Sequence, residues 1–305
     1  SMNVALKGST SKDVTQGVMK GNISKFNFFD YEYKNLSLDG YFSDKHFDGK
    51  VAILDPNIGF DFTGKVDFSK EIPEVNFQSN LKNAKLFPLH LNTKDELAEL
   101  NLSLDANFTG DRFDNANGNI FINDIEYKNG RGKFNLDEIK IDSKTTPELK
   151  QFDLKSGLAD LNVKGNYKLD ELVSSLSNMI YYYLPAYAPD SSYTKIDSTN
   201  NFEFDLLLKE NSKLTELIYP EIVLAPQSQL SGEINAKEHS LNLKLDIPFL
   251  NYDSKSIEGI RVSLNTDNEK LNLKGRSDKL VFTESYNIFN LSHQIEVQNN
   301  QVKYD

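Results

Sequence analysis

The sequence contains no cysteine and no tryptophan, and it has only 9 prolines and 3 methionines among 305 residues. Without cysteine there is no disulfide framework, no thiol nucleophile and no thiolate metal ligand. No apolar run is long enough to span a bilayer, and the opening residues SMNVALKGST lack the charged and apolar regions of a signal peptide. We therefore interpret the chain as an excised fragment, with Ser1 as an expression scar and any targeting segment outside it.

The chain is also short of positive charge. It has 34 lysines and arginines and 45 aspartates and glutamates, which gives a net charge of −11. Nucleic-acid binding requires lysine and arginine to neutralise phosphates, and no basic run stands out in the sequence. The charge therefore predicts no nucleic-acid partner and is typical of a soluble acidic surface.

Motifs that support catalysis or metal binding are missing as well. The four histidines (His46, His90, His239, His293) are far apart, and the sequence holds no HExxH, GxSxG, P-loop or GxGxxG pattern. Three acidic residues, Asp111, Asp114 and Asp124, lack the ligand spacing of a calcium loop. The sequence therefore predicts a protein that is not an enzyme and that holds no metal or cofactor.

Apolar and polar residues alternate along much of the sequence. Leu100, Leu102, Leu104, Ala106 and Phe108 alternate with polar residues, and the run from Leu241 to Phe249 does so even more cleanly. A two-residue period places all apolar side chains of a strand on one face. Turn pairs such as Asp48-Gly49 and Asn129-Gly130 separate such runs, as expected between antiparallel neighbours. The apolar fraction of 38% fits strands with one wet face.

One segment breaks this pattern. Asp170 to Ala188, DELVSSLSNMIYYYLPAYA, repeats apolar residues at intervals of three and four, which predicts an amphipathic helix. Acidic residues at its start favour the positive end of the helix dipole, and Pro185 stops it. We expect Tyr183 on the apolar side of the helix, and Tyr181 or Tyr182 exposed.

These patterns predict a mostly β protein with one substantial helix. Glycines inside strands, such as Gly64 and Gly232, favour a curved antiparallel sheet that forms an elongated apolar groove; a β-sandwich is the alternative. The predicted segments are a lead-in at 1–20, a first β-groove unit at 21–167, a helix lining or capping the groove at 168–189, a linker at 190–201 and a second β-groove unit at 202–305.

Three blocks resemble a known family. They are Gly110 to Ser143, Phe152 to Leu172 with the helix ending in YLPAY, and Leu217 to Tyr252. Together they resemble the TamB proteins of Bacteroidota, which belong to the AsmA-like, repeating-β-groove (β-taco) lipid transfer group. The resemblance implies a periplasmic section of a bridge anchored in the inner membrane, whose groove carries phospholipid to the outer membrane for its biogenesis. It also implies a partner of the Omp85 barrel class, reached through parts outside this fragment.

The apolar strands and this resemblance together define candidate site residues. We expect the acyl chains of phospholipid to contact a lining made of Phe60, Phe62, Leu102, Leu104, Leu243, Leu245, Val262 and Leu264. We expect the helix to contact the same face through Leu172, Leu176, Met179, Ile180 and Tyr183. The alternative function is a β-sandwich or strand-edge binding module, which would assist outer-membrane protein assembly or bind a protein or glycan.

Overall fold

Antiparallel strands make up most of the protein. The computed structural model describes residues 2–10, 15–112, 114–187, 199–210, 213, 215, 221–253, 255–267, 270–283, 286–298 and 300–305. The described strands are β1 (Met2–Thr10), β2 (Thr15–Phe28), β3 (Tyr31–Ser43), β4 (His46–Asp55), β5 (Ile58–Asp67), β6 (Glu74–Lys85), β7 (Glu99–Thr109), β8 (Asn117–Asn129), β9 (Gly132–Thr145), β10 (Lys150–Ser156), β11 (Ala159–Asn166), β12 (Asn201–Leu208), β13 (Ile222–Leu224), β14 (Gln229–Asn235), β15 (Ser240–Tyr252), β16 (Lys255–Asp267), β17 (Lys270–Thr283), β18 (Tyr286–Gln298) and β19 (Gln301–Tyr304). The helix α1 spans Leu172–Tyr183, between short 3₁₀ turns at Leu169–Glu171 and Pro185–Tyr187.

The chain divides into two compact units, Ser1–Ser143 and Lys144–Asp305. This boundary lies earlier than the predicted end of the first β unit at residue 167, because β10 and β11 belong to the second unit together with α1. The predicted lead-in at 1–20 instead contributes the first hairpin, in which β1 pairs with β2 from Met2 to Thr10. Residues 190–198 of the predicted linker lie outside the described residues.

In the first unit, consecutive strands pair as an antiparallel meander. Each strand from β1 to β9 pairs with the next one along the chain. The predicted turn at Asn129-Gly130 joins β8 to β9. The predicted turn at Asp48-Gly49 is wrong, because both residues lie inside β4, where Gly49 faces Gly40 of β3. The prediction of a mostly β, antiparallel fold is thus confirmed.

The second unit follows the same rule with one insertion. Its order is β10, β11, β12, β14, β15, β16, β17, β18 and β19, all antiparallel. The three-residue β13 pairs with the far end of β15, beyond the reach of β14. The helix α1 lies in the connection from β11 to β12. Among the described residues of each unit the strands form one sheet rather than two facing sheets, so the sandwich alternative is not the fold.

Glycines face one another on three neighbouring strands of the first sheet. Gly40 in β3 faces Gly49 in β4, which in turn faces Gly64 in β5. A Cβ built on Gly40 would lie 2.7 Å from the carbonyl oxygen of Asp48 and 2.9 Å from the Cα of Gly49. Facing side chains on ordinary strands keep their Cβ atoms about 4.5–5.5 Å apart. The three strands therefore lie too close along this line to admit side chains at these positions.

The Gly40→Ala substitution is expected to lower the free energy of unfolding by about 1 to 3 kcal/mol, because backbone atoms must move to admit the methyl group. Gly59→Ala in the neighbouring β5 is the matched control. A Cβ there would lie 3.5 Å from Lys82, an ordinary contact, so its effect should stay within about 0.5 kcal/mol. Urea unfolding of both variants measures the difference. Equal effects would contradict a close backbone approach at Gly40.

The last residue of β5 is a buried carboxylate, Asp67. Asp67 is 4% exposed, and its Oδ1 accepts hydrogen bonds from the hydroxyl and the backbone N–H of Ser69 at 2.5 and 3.1 Å. The Nδ1 of His46 lies 3.1 Å from its other oxygen. These donors, Ser69 first, hold the pKa of Asp67 well below its usual value of 3.8.

The pH dependence of stability follows from this depressed pKa. Because the folded pKa lies below the unfolded one, ionised Asp67 stabilises the fold above the unfolded pKa, and this contribution is lost as the pH falls through the folded pKa. We therefore expect Asp67→Asn to be less stable than the unmodified protein at pH 7, with a difference that shrinks below about pH 4. Urea unfolding at pH 7 and pH 3 measures this difference. An undiminished difference at pH 3 would contradict the role of the ionised carboxylate.

Candidate functional site

The apolar side chains of the first sheet line up across neighbouring strands. Cross-strand pairing joins Leu38, Val51, Phe62, Ser79, Leu104, Ile122 and Ile139 into one row over seven strands. At about 4.8 Å per strand, the row is roughly 29 Å wide. The ring of Phe62 lies 5.9 Å from that of Phe47 and 4.9 Å from that of Phe77. We call this surface the first apolar face; it includes four of the predicted lining residues (Phe60, Phe62, Leu102, Leu104).

The second sheet carries an equivalent surface. A row of Phe152, Val163, Phe204, Gly232, Leu243, Leu264, Leu273 and Ile295 crosses eight strands. The adjacent row contains Leu245 facing Val262. We call this surface the second apolar face; it includes the other four predicted lining residues (Leu243, Leu245, Val262, Leu264). Each unit thus brings its own four predicted residues onto one surface.

Partial burial distinguishes both faces from a closed core. All eight predicted lining residues are half-buried, and the polar residues that alternate with them in β15 and β16 are exposed. In a sandwich, a second sheet would cover such positions completely. Here the burial comes from neighbours in the same sheet and from a cover at one end of each face. The middle of each face keeps apolar surface in contact with solvent.

A loop covers one end of the first apolar face. The β6–β7 loop, residues 86–98, folds back so that Leu89 is 1% exposed. Leu89 packs in a cluster with Leu36, Ile53 and Ile58, and the loop is closed by a backbone hydrogen bond of 2.8 Å from Leu86 to Ala98. The sequence patterns do not predict this cover. The feature that points to it is the break in alternation at LFPLHL (residues 86–91).

The helix α1 covers one end of the second apolar face. Met179 is 1% exposed and packs in a cluster with Tyr167, Phe202, Ile234 and Leu241. Leu172 packs against the same cluster. Strand residues from the second apolar face, including Phe204, Leu243 and Leu264, surround it. The helix therefore lies on the face that also carries the predicted lining.

Polar contacts fix the helix along its length. The amide of Asn200 donates to the hydroxyl of Ser175 at 2.8 Å, and both residues are at most 1% exposed. The hydroxyl of Tyr183 donates to the backbone oxygen of His239 at 2.8 Å, in the β14–β15 turn. The backbone N–H of Ala186 donates to Oδ1 of Asn300 at 3.1 Å, in the β18–β19 turn. The cover thus reaches from β12 to the last hairpin.

Two predicted helix contacts are wrong. Leu176 and Ile180 are 36% and 47% exposed. The buried stripe runs through Ser175, Met179 and Tyr183 at intervals of four residues, which turns positions 176 and 180 by about 100° away from the sheet. Tyr183 is buried and Tyr182 is exposed, stacked at 4.0 Å on the ring of His239. α1 is also shorter than the predicted segment Asp170–Ala188.

Charges lie on the faces opposite the apolar ones. Several of them form cross-strand ion pairs, such as Lys20 with Asp39 at 2.6 Å and Lys128 with Glu99 at 3.2 Å. In the second unit, the guanidinium of Arg261 donates to Asp278 at 3.1 Å and lowers the pKa of that carboxyl group. Each sheet thus has one charged, wet face and one apolar face.

The acidic and histidine residues weighed in the sequence have structural neighbours. Arg112 binds both oxygens of Asp114 at 2.9 and 3.0 Å, and Asp111 accepts from Asn115 at 2.6 Å. His293 faces Gly275 across β17 and β18. Among the described residues, no group of three or more histidine, aspartate or glutamate side chains is placed to hold a metal ion.

The fold and the faces define a class: a two-unit β protein that presents half-buried apolar sheet surfaces, each covered at one end. No family model, curated protein or solved structure matches the chain. Within the described residues, no helix is both long and apolar enough to cross a bilayer.

Proposed function

We propose that the two apolar faces bind the acyl chains of phospholipid and carry them without chemistry. The observation that supports this most is the half-burial of the eight lining residues in sheets that have no second layer over them. Burying apolar area is worth about 25 cal/mol per Å², so the apolar surface that these half-buried leucines and phenylalanines leave accessible attracts an apolar ligand. Acyl chains need contact area and no hydrogen bonds, which is what these faces offer.

The resemblance to TamB proteins supplies the setting of the proposal. In this proposal, the chain is a periplasmic section of a bridge protein anchored in the inner membrane, and the phospholipid moves between the inner and the outer membrane. An Omp85-class barrel is the proposed partner, reached through other parts of the parent protein. These assignments depend on the resemblance, whereas acyl-chain binding depends on the two faces.

Lipid extraction tests the proposal directly. The protein, purified without detergent from cells, is extracted with organic solvent, and the extract is analysed by mass spectrometry for phospholipid. We expect a stoichiometric amount of phospholipid, and delipidated protein should take up a fluorescent fatty acid. A lipid-free preparation that also fails to take up the fluorescent probe would refute the proposal.

A strand-edge binding function is the second candidate, and β18 favours it. β19 pairs only with Ile295–Gln298, and Asp305 extends this pairing to Gln294. The outer edge of Tyr286–His293 has no strand partner among the described residues, and this segment carries no aspartate, glutamate, lysine, arginine or proline to deter pairing. Protection of these amides from hydrogen exchange by an added extended peptide would support this function.

A further inference from the structure

The charged face of the second sheet contains an open cavity of about 760 Å³ across β14 to β18. Its floor is a grid of side chains set by the strand register. Lys244, Ser263 and Lys274 form one cross-strand row, and Arg261 and Arg276 belong to the next row. We call these five residues the basic floor. They lie on the face opposite the second apolar face, so nothing about them depends on lipid binding there.

The basic floor brings several cations together on neighbouring strands. Elsewhere some strand cations face a carboxylate, as Lys279 faces Glu258 at 3.4 Å, and some face another cation, as Lys25 faces Lys34. In the floor, Arg261 faces Arg276 on one side and Asp246 on the other, and both neighbours of Ser263 in its row are lysines. Like charges on facing positions destabilise a sheet. The facing arginines are therefore unfavourable for folding unless carboxylates compensate them, in a chain whose net charge is −11.

Nearby carboxylates compensate the arginines but not the lysines. Arg261 is hydrogen-bonded to Asp278 at 3.1 Å and lies 3.9 Å from Asp246, and Arg276 lies 3.8 Å from Asp278. For Lys244 and Lys274, the described part of the chain provides no ion pair and no hydrogen bond. Both lysines line the cavity and are exposed; the carboxylates that line it are those of Asp246 and Asp305. The uncompensated positive charge is thus concentrated on two residues that flank one hydroxyl group.

This arrangement matches an anion with several oxygens. Two strand spacings separate Lys244 from Lys274, about 10 Å between their backbones, with the hydroxyl of Ser263 midway. In proteins, phosphate oxygens accept hydrogen bonds from lysine, arginine and serine side chains. The cavity is larger than a single phosphate, which leaves room for the rest of a phosphorylated molecule. We propose that the basic floor binds a phosphate-bearing ligand, either a free polyphosphate or sugar phosphate or the headgroup of a phospholipid.

Two probes and two double variants test this site. Pyrophosphate is titrated calorimetrically at low and high salt, and vesicles of phosphatidic acid are compared with vesicles of phosphatidylcholine by co-sedimentation. The test variant is Lys244→Gln with Lys274→Gln. The matched control is Lys237→Gln with Lys255→Gln, which removes the same charge from two exposed lysines of the same unit that do not line the cavity.

We expect the unmodified protein to bind pyrophosphate or phosphatidic acid vesicles, more weakly at high salt because the contact is electrostatic. The test variant should bind at least tenfold more weakly and the control within twofold, with unchanged circular dichroism for both. Binding of pyrophosphate assigns the site to a free phosphate compound, and binding of the vesicles alone assigns it to a headgroup. Failure to bind either probe, or an equal loss in both variants, would overturn the proposal.

Discussion

Replacing Leu104 by aspartate is expected to weaken the binding of a fluorescent fatty acid at least tenfold. Leu104 lies in the central row of the first apolar face, between Ser79 and Ile122 on the neighbouring strands. An acyl chain over this position would have to desolvate the new carboxylate without giving it a hydrogen bond, which costs several kcal/mol. Aspartate is too short to turn its charge away to solvent, as a lysine or arginine could.

The same substitution should leave the protein folded. Leu104 is half-buried, so the lost apolar burial is expected to cost about 1 to 2 kcal/mol rather than the amount typical of a closed core. Asn107→Asp is the matched control, because it adds the same charge to an exposed position of β7. Fluorescence titration and urea unfolding are measured on both variants. Complete unfolding of the Leu104 variant would show that this face is a core, and unchanged binding would show that it is not the ligand surface.

Replacing Met179 by alanine is expected to lower the free energy of unfolding by about 3 kcal/mol. Met179 is 1% exposed and sits in the cluster that joins α1 to the second apolar face. Truncation of a buried methionine leaves a cavity, and substitutions of this kind cost about 2 to 5 kcal/mol. Because the helix covers the end of the face through this residue, we also expect faster hydrogen exchange of the α1 amides.

The neighbouring residue provides the control for this prediction. Ile180 is 47% exposed, so Ile180→Ala is expected to change stability by less than about 0.5 kcal/mol. Both variants shorten an apolar side chain on the same turn of the same helix, and only the contact with the sheet differs. Urea unfolding compares them. A loss at position 180 as large as at position 179 would mean that the exposed side of α1 also packs in solution.

The strands were predictable because each has one wet face. A period of two identifies Leu100 to Phe108 and Leu241 to Phe249 as strands from the sequence alone, and the structure places them within β7 and β15. The lining prediction depended on the same alternation, since the strand register then brings alternate residues of neighbouring strands into rows. Neither prediction required knowledge of the contacts that the strands make with the covering loop or helix.

The covers were not fully predictable because they depend on tertiary contacts. Leu89 lies outside the long alternating runs, and only the fold of the β6–β7 loop brings it onto Leu36 and Ile53. For α1, the apolar spacing admits two stripes. The one that faces the sheet also contains Ser175, whose hydrogen bond with Asn200 joins residues far apart in the sequence. The unit boundary was misplaced for a similar reason, since the helix lies within the second unit and not between the two.

The neighbour-to-neighbour pairing of the strands has a consequence for how the protein folds. In the first unit, every ladder joins strands that follow each other in the chain, so each hairpin closes only a short loop. When contacting residues are close in sequence, folding is fast, and the sheet can form from any hairpin and extend strand by strand, as in repeat proteins. In the second unit, one long connection from β11 to β12 carries α1 and must close before the sheet can continue. We therefore expect the two units to fold with different kinetics, and the docking of α1 to limit the slower one.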